Sequence, residues 1–287
     1  LLIGIARLSN NYLIAKLAGG YIELFRNIPI LLQILFWYNL FINVFPHPKQ
    51  SLAFFDIAFL NQRGLYLPKP IAEDGFIFVA IAFIIGIIAA YFIKKFFKKK
   101  HELTGTHTST WMYSLGLIVG LPVMVYFLVG SPLQFDYAVL GKFNLKGGMA
   151  VVPEFLALTF ALSVYTATYI AEAIRSGIEA VDKGQKEAAA AIGLSPVQSL
   201  KLIVLPQALR VAIPPTINQY LNLTKNSSLA TVIGYPELMS TFGGTVLNQV
   251  GQAVEILAMA MLVYLVISLF ISLLLNYVNK KMEIQGR

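Results

Sequence analysis

Four stretches of the chain run apolar and uncharged: Phe76 to Ile93, Trp111 to Gly130, Phe155 to Ala171 and Ile256 to Leu275. Each is about the length that crosses a bilayer core as a helix, so the pattern predicts four membrane spans. A fifth uncharged run, Ile28 to Phe45, carries Gln33, Asn39 and Asn43, whose amides prefer a protein neighbour or an aqueous path to lipid tails. It predicts a span that faces other helices. A sixth, Ala208 to Leu223, holds Arg210, the pair Pro214-Pro215, Asn218 and Asn222, and is expected to be a broken span inside a bundle. The opening Leu1-Leu2-Ile3-Gly4-Ile5-Ala6 meets Arg7 too early to cross a bilayer and reads as the tail of a truncated span with hydrophobic sequence before it. A signal peptide would place its charge ahead of the apolar run. The expected fold is an all-α membrane protein, a polytopic helix bundle of about six spans plus that tail, with residues 1–287 forming one transmembrane domain.

Between the spans lie two loops punctuated by glycine and proline, roughly Pro46 to Gly75 and Ser131 to Val152. Pro46, Pro48, Pro68 and Pro70 argue against a continuous helix in the first, and Gly141, Gly147 and Gly148 in the second, so both are expected at the surface.

Composition agrees with lipid as the solvent. Of the 287 residues 57% are hydrophobic and only 13% charged, and the mean hydropathy is +0.70. There is no cysteine, which removes disulfides and thiolate chemistry. The net charge of +8 is informative through its distribution. Sixteen of the 22 lysines and arginines fall in the segments that start near Arg7, Lys94, Arg175 and Lys280, and six in the alternating ones. Because basic loops stay in the cytoplasm, the first set is assigned there, including the C-terminus and the loop from Arg175 to Arg210. The cluster Lys94, Lys95, Lys98, Lys99 and Lys100, interleaved with Phe96 and Phe97, sits at a helix end and is explained by topology in preference to nucleic acid or anionic lipid.

The segment from Asp182 to Pro206 has its own local grammar. Asp182 is a candidate N-cap with Gln185 three residues on, an alanine-rich helix follows, and Gly193 is placed to stop it in the left-handed conformation. Ser195 caps the next turn with Pro196 at the first helical position and Gln198 completing a capping box, and Pro206 interrupts the far end. The expectation is a compact helix-turn-helix. Its second helix carries Val197, Leu200 and Val204 at helical spacing, a face that can pack on the chain's own spans or receive a separate subunit.

Glu187-Ala188-Ala189, Gly193 after three residues, and Ile203 nine residues later with Leu205-Pro206 resemble the EAA loop of permease subunits of ATP-binding-cassette importers. The segment Tyr21 to Gln33, with Glu23, Arg26 and Pro29, resembles the other signature of polar amino-acid permeases. Asn218 to Leu238, with Lys225-Asn226-Ser227-Ser228-Leu229 and Pro236-Glu237-Leu238, resembles their region after the loop. The likeness covers roughly residues 1–45 and 153–282. Residues 46–152 depart from the short members as an insertion with two extra spans, which resembles the general L-amino-acid and glutamate/glutamine/aspartate/asparagine permeases.

The resemblance implies a type I importer-permease fold and a subunit that moves polar L-amino acids from periplasm to cytoplasm across a bacterial inner membrane. The 182–206 loop would couple it to a separate ATPase dimer. Glu187 would make a polar contact to the ATPase, Ala188 and Gly193 would allow close approach, and Pro206 would fix the hinge to the following span, with Ala189, Ile203 and Leu205 completing the ATPase-coupling set. A second permease, a heteromeric homologue, and a periplasmic amino-acid-binding protein are the other implied partners, beside the lipid bilayer and without nucleic acid. The chain has no G-x-x-x-x-G-K-[ST] sequence to cradle phosphates, so ATP and magnesium are expected on the ATPase and no cofactor on this chain.

A zwitterionic amino acid needs polar groups and irregular backbone at membrane depth, and the best candidates are Asn218, Asn222, Lys225, Asn226 and Ser227 beyond the kink expected at Pro214-Pro215. Lys225 can meet a carboxylate or snorkel to the surface, and the asparagines can meet substrate or neighbouring helices. Glu154, Glu172, Arg175 and Glu255 fall at predicted span ends, where helix-terminus electrostatics suffices. His47, His101 and His107 fall in predicted loops without metal-ligand spacing, so no metal site is expected, and no nucleophile-base set suggests catalysis. The competing function is an ion-coupled secondary amino-acid transporter. It would need an intramembrane acid or a carbonyl ion site, and the four clear spans hold no acid.

Overall fold

The structure is a computed structural model that describes residues 1–105, 109–141 and 144–282. Its helices are α1 (Leu2–Ala6), α2 (Tyr12–Asn27), α3 (Ile30–Asn43), α4 (Phe76–Thr104), α5 (Trp111–Leu115), α6 (Leu121–Leu128), α7 (Pro153–Glu179), α8 (Lys183–Ala191), α9 (Pro196–Ser199), α10 (Leu205–Asn226), α11 (Leu247–Val250) and α12 (Ala253–Met282). Among the described residues five continuous stretches are long and apolar enough to cross a membrane: Phe76–Leu103, Trp111–Leu128, Pro153–Glu179, Pro196–Ile233 and Ala253–Tyr277. Where the sequence reads one membrane domain with an insertion, the chain falls into two compact units. One comprises Leu1–His47, Asn61–Leu65 and Val151–Arg287, and the other Pro48–Leu60 and Tyr66–Ala150.

The first unit corrects the expected span from Ile28 to Phe45, which does not cross by itself. Proline lacks an N–H and pushes its predecessor out of the helical region, so α2 ends at Asn27, Ile28 is extended and α3 restarts after Pro29. The two helices meet at 102° and count together as at most one broken span. Gln33 is buried at this corner, and its Nε2 donates to the carbonyls of Phe25 at 2.8 Å and Ile28 at 2.9 Å. Ile34 then packs with Leu158, Ala161, Leu162, Ala230 and Ile233.

The centre of this unit is the pair α7 and α10. Ile174, Ile178, Val181, Val204, Ala208 and Ala212 form one buried cluster, with Ile5 and Leu8 of the N-terminal segment against it. A Cβ on Gly177 would lie 2.5 Å from the Ala208 carbonyl oxygen, so only glycine allows these backbones to come so close.

Two proline expectations fail here. Pro206 does not interrupt its helix: α9 continues through a π-helical turn, Leu200–Val204, directly into α10. The wider turn immediately before the proline absorbs its missing donor and ring bulk without a break. Pro214 and Pro215 lie inside an unbroken α10, where Thr216 donates its hydroxyl to the Ala212 carbonyl at 2.7 Å.

In the second unit α4 is longer than expected, running to Thr104, so His101 is helical and not in a loop, and His107 lies outside the described residues. Its partner is α5 and α6 joined through a π-turn at Gly116–Gly120. The fold is helical as expected, but the two loops are not wholly irregular. Leu52–Phe54 pairs antiparallel with Ala58–Asn61, and Lys69–Ala72 with Leu133–Asp136, the latter ribbon extending the helical hairpin from the α4 start and the α6 end.

Candidate coupling loop and translocation path

Asp182 caps α8 as expected, its Oδ1 accepting from the Gly184 amide at 2.6 Å. The reciprocal half of that capping box is absent, because Gln185 instead accepts from Gln207 Nε2 at 3.3 Å, a bond that fastens α8 to the base of α10. At the far end the Leu194 amide donates to Ala189 O and the Gly193 amide to Ala190 O, with Gly193 at φ +80°. This is a Schellman stop, and a side chain at that φ would be strained. The second cap is complete: Ser195 N donates to Gln198 Oε1 at 2.9 Å and Gln198 N to Ser195 Oγ at 3.3 Å, with Pro196 at the first position. Local chemistry therefore fixes both helix ends and the turn between them.

This frame sorts the signature residues. Glu187, Ala188, Gly193 and Pro206 are exposed, Ala189 is buried, and Ile203 and Leu205 are half-buried against the helix base. Glu187 has no hydrogen bond or ion pair among the described residues. The face of the second helix divides between the two readings open from sequence: Leu200 and Val204 pack on the chain's own core, while Val197 is 73% exposed, beside Ile192 at 75%. A groove of about 830 Å³ opens alongside, lined by Ile5, Leu8, Ile14, Ala190, Leu194 and Val197 among others.

On α10, Asn218, Asn222 and Lys225 fall at spacings of four and three, so they share one face. All three are exposed and make no side-chain hydrogen bond among the described residues. Asn226 and Ser227 are half-buried, and Ser227 donates to the Thr224 carbonyl at 2.7 Å where α10 passes into the 3-10 turn Ser227–Ile233. The first three thus form a polar face of one helix, and Asn226 and Ser227 belong to its end.

Two clusters carry more than sequence reasoning assigned to them. Glu172 and Arg175 do not simply mark a span end. Arg7 donates to Glu172 at 2.9 Å and to Glu23 at 3.2 Å, and Arg175 bridges Glu172 and Glu179, so α1, α2 and α7 are tied by one chain of alternating charge. The i,i+3 and i,i+4 spacings of Glu172, Arg175 and Glu179 were a legible signal, whereas the partnership with Arg7 was not. Glu237 is the second. Its carboxylate accepts from the Thr231 hydroxyl, from the Ser240 amide at 2.8 Å and from the Tyr264 hydroxyl at 2.8 Å, joining the 3-10 turn, the next helical start and α12. Burial pushes this carboxyl up, but the hydrogen bonds from Thr231, the Met239 and Ser240 amides and Tyr264 outweigh it and hold it below the ordinary carboxylate range. Among the described residues no group of three or more acids, histidines or cysteines could hold a metal ion.

The geometry can be set beside known proteins. Residues 82–284 match the family described as binding-protein-dependent transport system inner membrane component. The general L-amino acid transport system permease AapQ of Rhizobium johnstonii is 51% identical over 286 residues, covering 100% of this chain and 71% of that protein. The glutamate/glutamine/aspartate/asparagine transport system permease BztB of Rhodobacter capsulatus is 40% identical over 314 residues, covering 99% and 73%. Among solved structures, the crystal structure of an amino acid ABC transporter with histidines superposes with a TM-score of 0.54 at 19% identity, over 98% of this chain and 82% of that one, a likeness of fold. Neither relative is described as an ion-coupled carrier.

Proposed function

The chain belongs to the family of binding-protein-dependent transport system inner membrane components, and from that premise we propose that it passes polar L-amino acids from periplasm to cytoplasm while a separate ATPase supplies the work. The observation that carries this reading is the doubly capped loop from Asp182 to Ser199, which holds Glu187, Ala188, Gly193, Ile192 and Val197 outward on a fixed frame. An exposed apolar and small-residue surface beside an unpaired carboxylate suits a protein partner. Its foundation is the α7–α10 core, so force applied at the loop reaches a membrane-crossing helix directly.

Along that helix, Asn218, Asn222 and Lys225 supply amides and a cation to a zwitterion, with Lys225 facing the substrate carboxylate and the asparagines offering both donors and acceptors. Asn226 and Ser227 complete the path at the helix end. ATP and its magnesium ion bind on the ATPase dimer, and this chain performs no chemistry. A second, homologous permease completes the passage, and a periplasmic amino-acid-binding protein delivers the substrate. The chain lies in the bacterial inner membrane with its C-terminus in the cytoplasm, an orientation supported by the sorting of lysine and arginine.

The test is uptake of labelled amino acids by proteoliposomes that hold the chain with its second permease, ATPase and binding protein. Uptake that needs ATP and every subunit is the expected result. Uptake by this chain alone, driven by a sodium or proton gradient, would overturn the proposal.

A further inference from the structure

The lysine cluster of α4 was explained from sequence by topology, but the structure gives it a shape that topology does not require. The apolar run from Phe76 to Ile93 is about 27 Å long at the rise of an α-helix, close to a bilayer's hydrocarbon thickness. Because α4 stays helical to Thr104, Lys94, Lys95, Lys98 and Lys99 are carried rigidly into the next layer, about 1 to 9 Å beyond Ile93, where lipid phosphates lie. None of these four forms an ion pair among the described residues, although Glu102 is nearby in sequence. The opposite end of the helix follows Glu73 and Asp74 and carries no lysine in its first turns, so the positive charge is confined to one level.

At that level Lys94 of α4 and the segment from Thr110 to Ile118 border an open cleft of about 460 Å³, lined by Lys94, Thr110, Trp111, Ser114, Leu115 and Ile118. The last four recur at the spacing of one helix face, so the cleft runs along that face from Thr110 and Trp111 at one end to Leu115 and Ile118 at the other. Ser114 spends its hydroxyl proton on the Thr110 carbonyl at 3.0 Å. The Thr110 hydroxyl, the Trp111 indole N–H and the Lys94 ammonium make no hydrogen bond among the described residues, and no acid lines the cleft. Phe97 stacks on Tyr113 at 5.6 Å and 18°, which holds the two helix ends together beside it. Donors and a cation above, aliphatic side chains below, match an anionic headgroup on an acyl chain and match neither half alone.

We propose that this cleft binds one anionic phospholipid, its phosphate held by Lys94, Thr110 and Trp111 with Lys98 one turn further out, and its acyl chain beside Leu115 and Ile118. Lys95 and Lys99 add attraction without contact.

The chain has two tryptophans, so Trp37→Phe leaves Trp111 as a reporter inside the site. The full chain carrying that substitution is placed in phosphatidylcholine nanodiscs containing a minor fraction of phosphatidylglycerol or phosphatidylcholine brominated high on its acyl chains. Brominated phosphatidylglycerol should quench Trp111 about fivefold more effectively per lipid than brominated phosphatidylcholine. The preference should fall to parity in Lys94→Gln/Lys98→Gln and persist in Lys94→Arg/Lys98→Arg. Ser114→Leu, which fills the cleft and leaves every lysine in place, should also abolish it. Equal quenching by the two lipids would overturn the site, and a preference that survives Ser114→Leu would reduce it to diffuse attraction and overturn it equally. An emission change with inorganic phosphate that needs Lys94, without lipid preference, would assign the cleft to a soluble anion and contradict the proposal. Thermal melting and elution volume of each variant show whether it is folded, and the arginine pair keeps the comparison decisive if the glutamine pair is not.

Discussion

The pair α7–α10 and the pair formed by α4 with Trp111–Leu128 are built from similar lengths of apolar sequence, yet they pack it to different extents. In α7, 39% of the apolar stretch is buried within the chain and in the stretch that holds α10 17%, against 22% in α4 and 6% in Trp111–Leu128. Each pair has a backbone approach that needs glycine, Gly177 at the Ala208 carbonyl in the first and Gly86 at the Leu117 carbonyl in the second, and the first adds interleaved alanines and the charge chain from Glu23 through Arg7 and Glu172 to Arg175. The second presents Phe78, Ile84, Phe92, Met124 and Phe127 outward, as side chains dissolved in lipid do. The first pair thus adds side-chain packing and paired charge to its close crossing, while the second leaves most of its apolar surface facing outward. The coupling loop grows from the packed pair and the lysine cleft from the anchored one.

The contrast is broken most severely at the glycines. Gly177→Leu forces a side chain into the Ala208 carbonyl and should cost about 3 kcal/mol or more, lowering the melting temperature in detergent sharply. Gly120→Leu, where a Cβ meets nothing within 4 Å, should stay within about 0.5 kcal/mol of the parent. Equal losses would show that the close crossing at Gly177 contributes nothing beyond an open helical position.

Next in size is the charge chain. Glu172→Gln leaves Arg7 and Arg175 without their shared partner at partly buried positions and should destabilise the protein by roughly 2 kcal/mol. Lys95→Gln, at an unpaired lysine of the other unit, should leave the melting temperature unchanged.

A smaller stability effect but a larger functional one is expected at the loop. Gly193→Asp places a side chain at φ +80° and should cost about 1 kcal/mol. Membrane insertion should persist while the ATPase no longer co-purifies and uptake is lost. Unchanged co-purification and transport would remove the loop's coupling role.

The mildest prediction concerns Glu237. Its folded-state pKa is lowered, so the unfolded state binds more protons in acid, and the stabilisation present above the ordinary carboxylate range is lost as pH falls through the depressed value. The melting temperature should drop on acidification from near neutrality into that range, and Glu237→Gln should flatten this part of the profile. An identical acid profile for the variant would mean that other carboxylates carry it.

What could be read from the sequence was what local chemistry decides. The four uncharged runs became helices, and the caps at Asp182, Gly193 and Ser195 formed because each needs only neighbours within a few residues. Proline effects were half-legible. Pro29 did break its helix, but Pro206 and Pro214-Pro215 were accommodated by a π-turn and by continued helix, outcomes that proline's own local preference does not distinguish. Arg7 and Glu172 are 165 residues apart, and no local spacing pairs them. Gly177 looked like any helical glycine until the Ala208 carbonyl opposite was placed. Of the path residues, the shared face of Asn218, Asn222 and Lys225 followed from period, while Gln33 at the α2–α3 corner required the 102° bend to be seen.

The most direct measurement is cysteine cross-linking across the loop surface, which is clean because the chain has no cysteine of its own. Val197→Cys and Ile84→Cys variants would be co-expressed with the ATPase carrying surface cysteines and treated with a short bifunctional reagent in membranes. The expected result is a cross-link from position 197 to the ATPase, changed in yield by nucleotide, and none from position 84. A silent position 197 in an assembly that still transports would contradict the assignment of this surface to the ATPase.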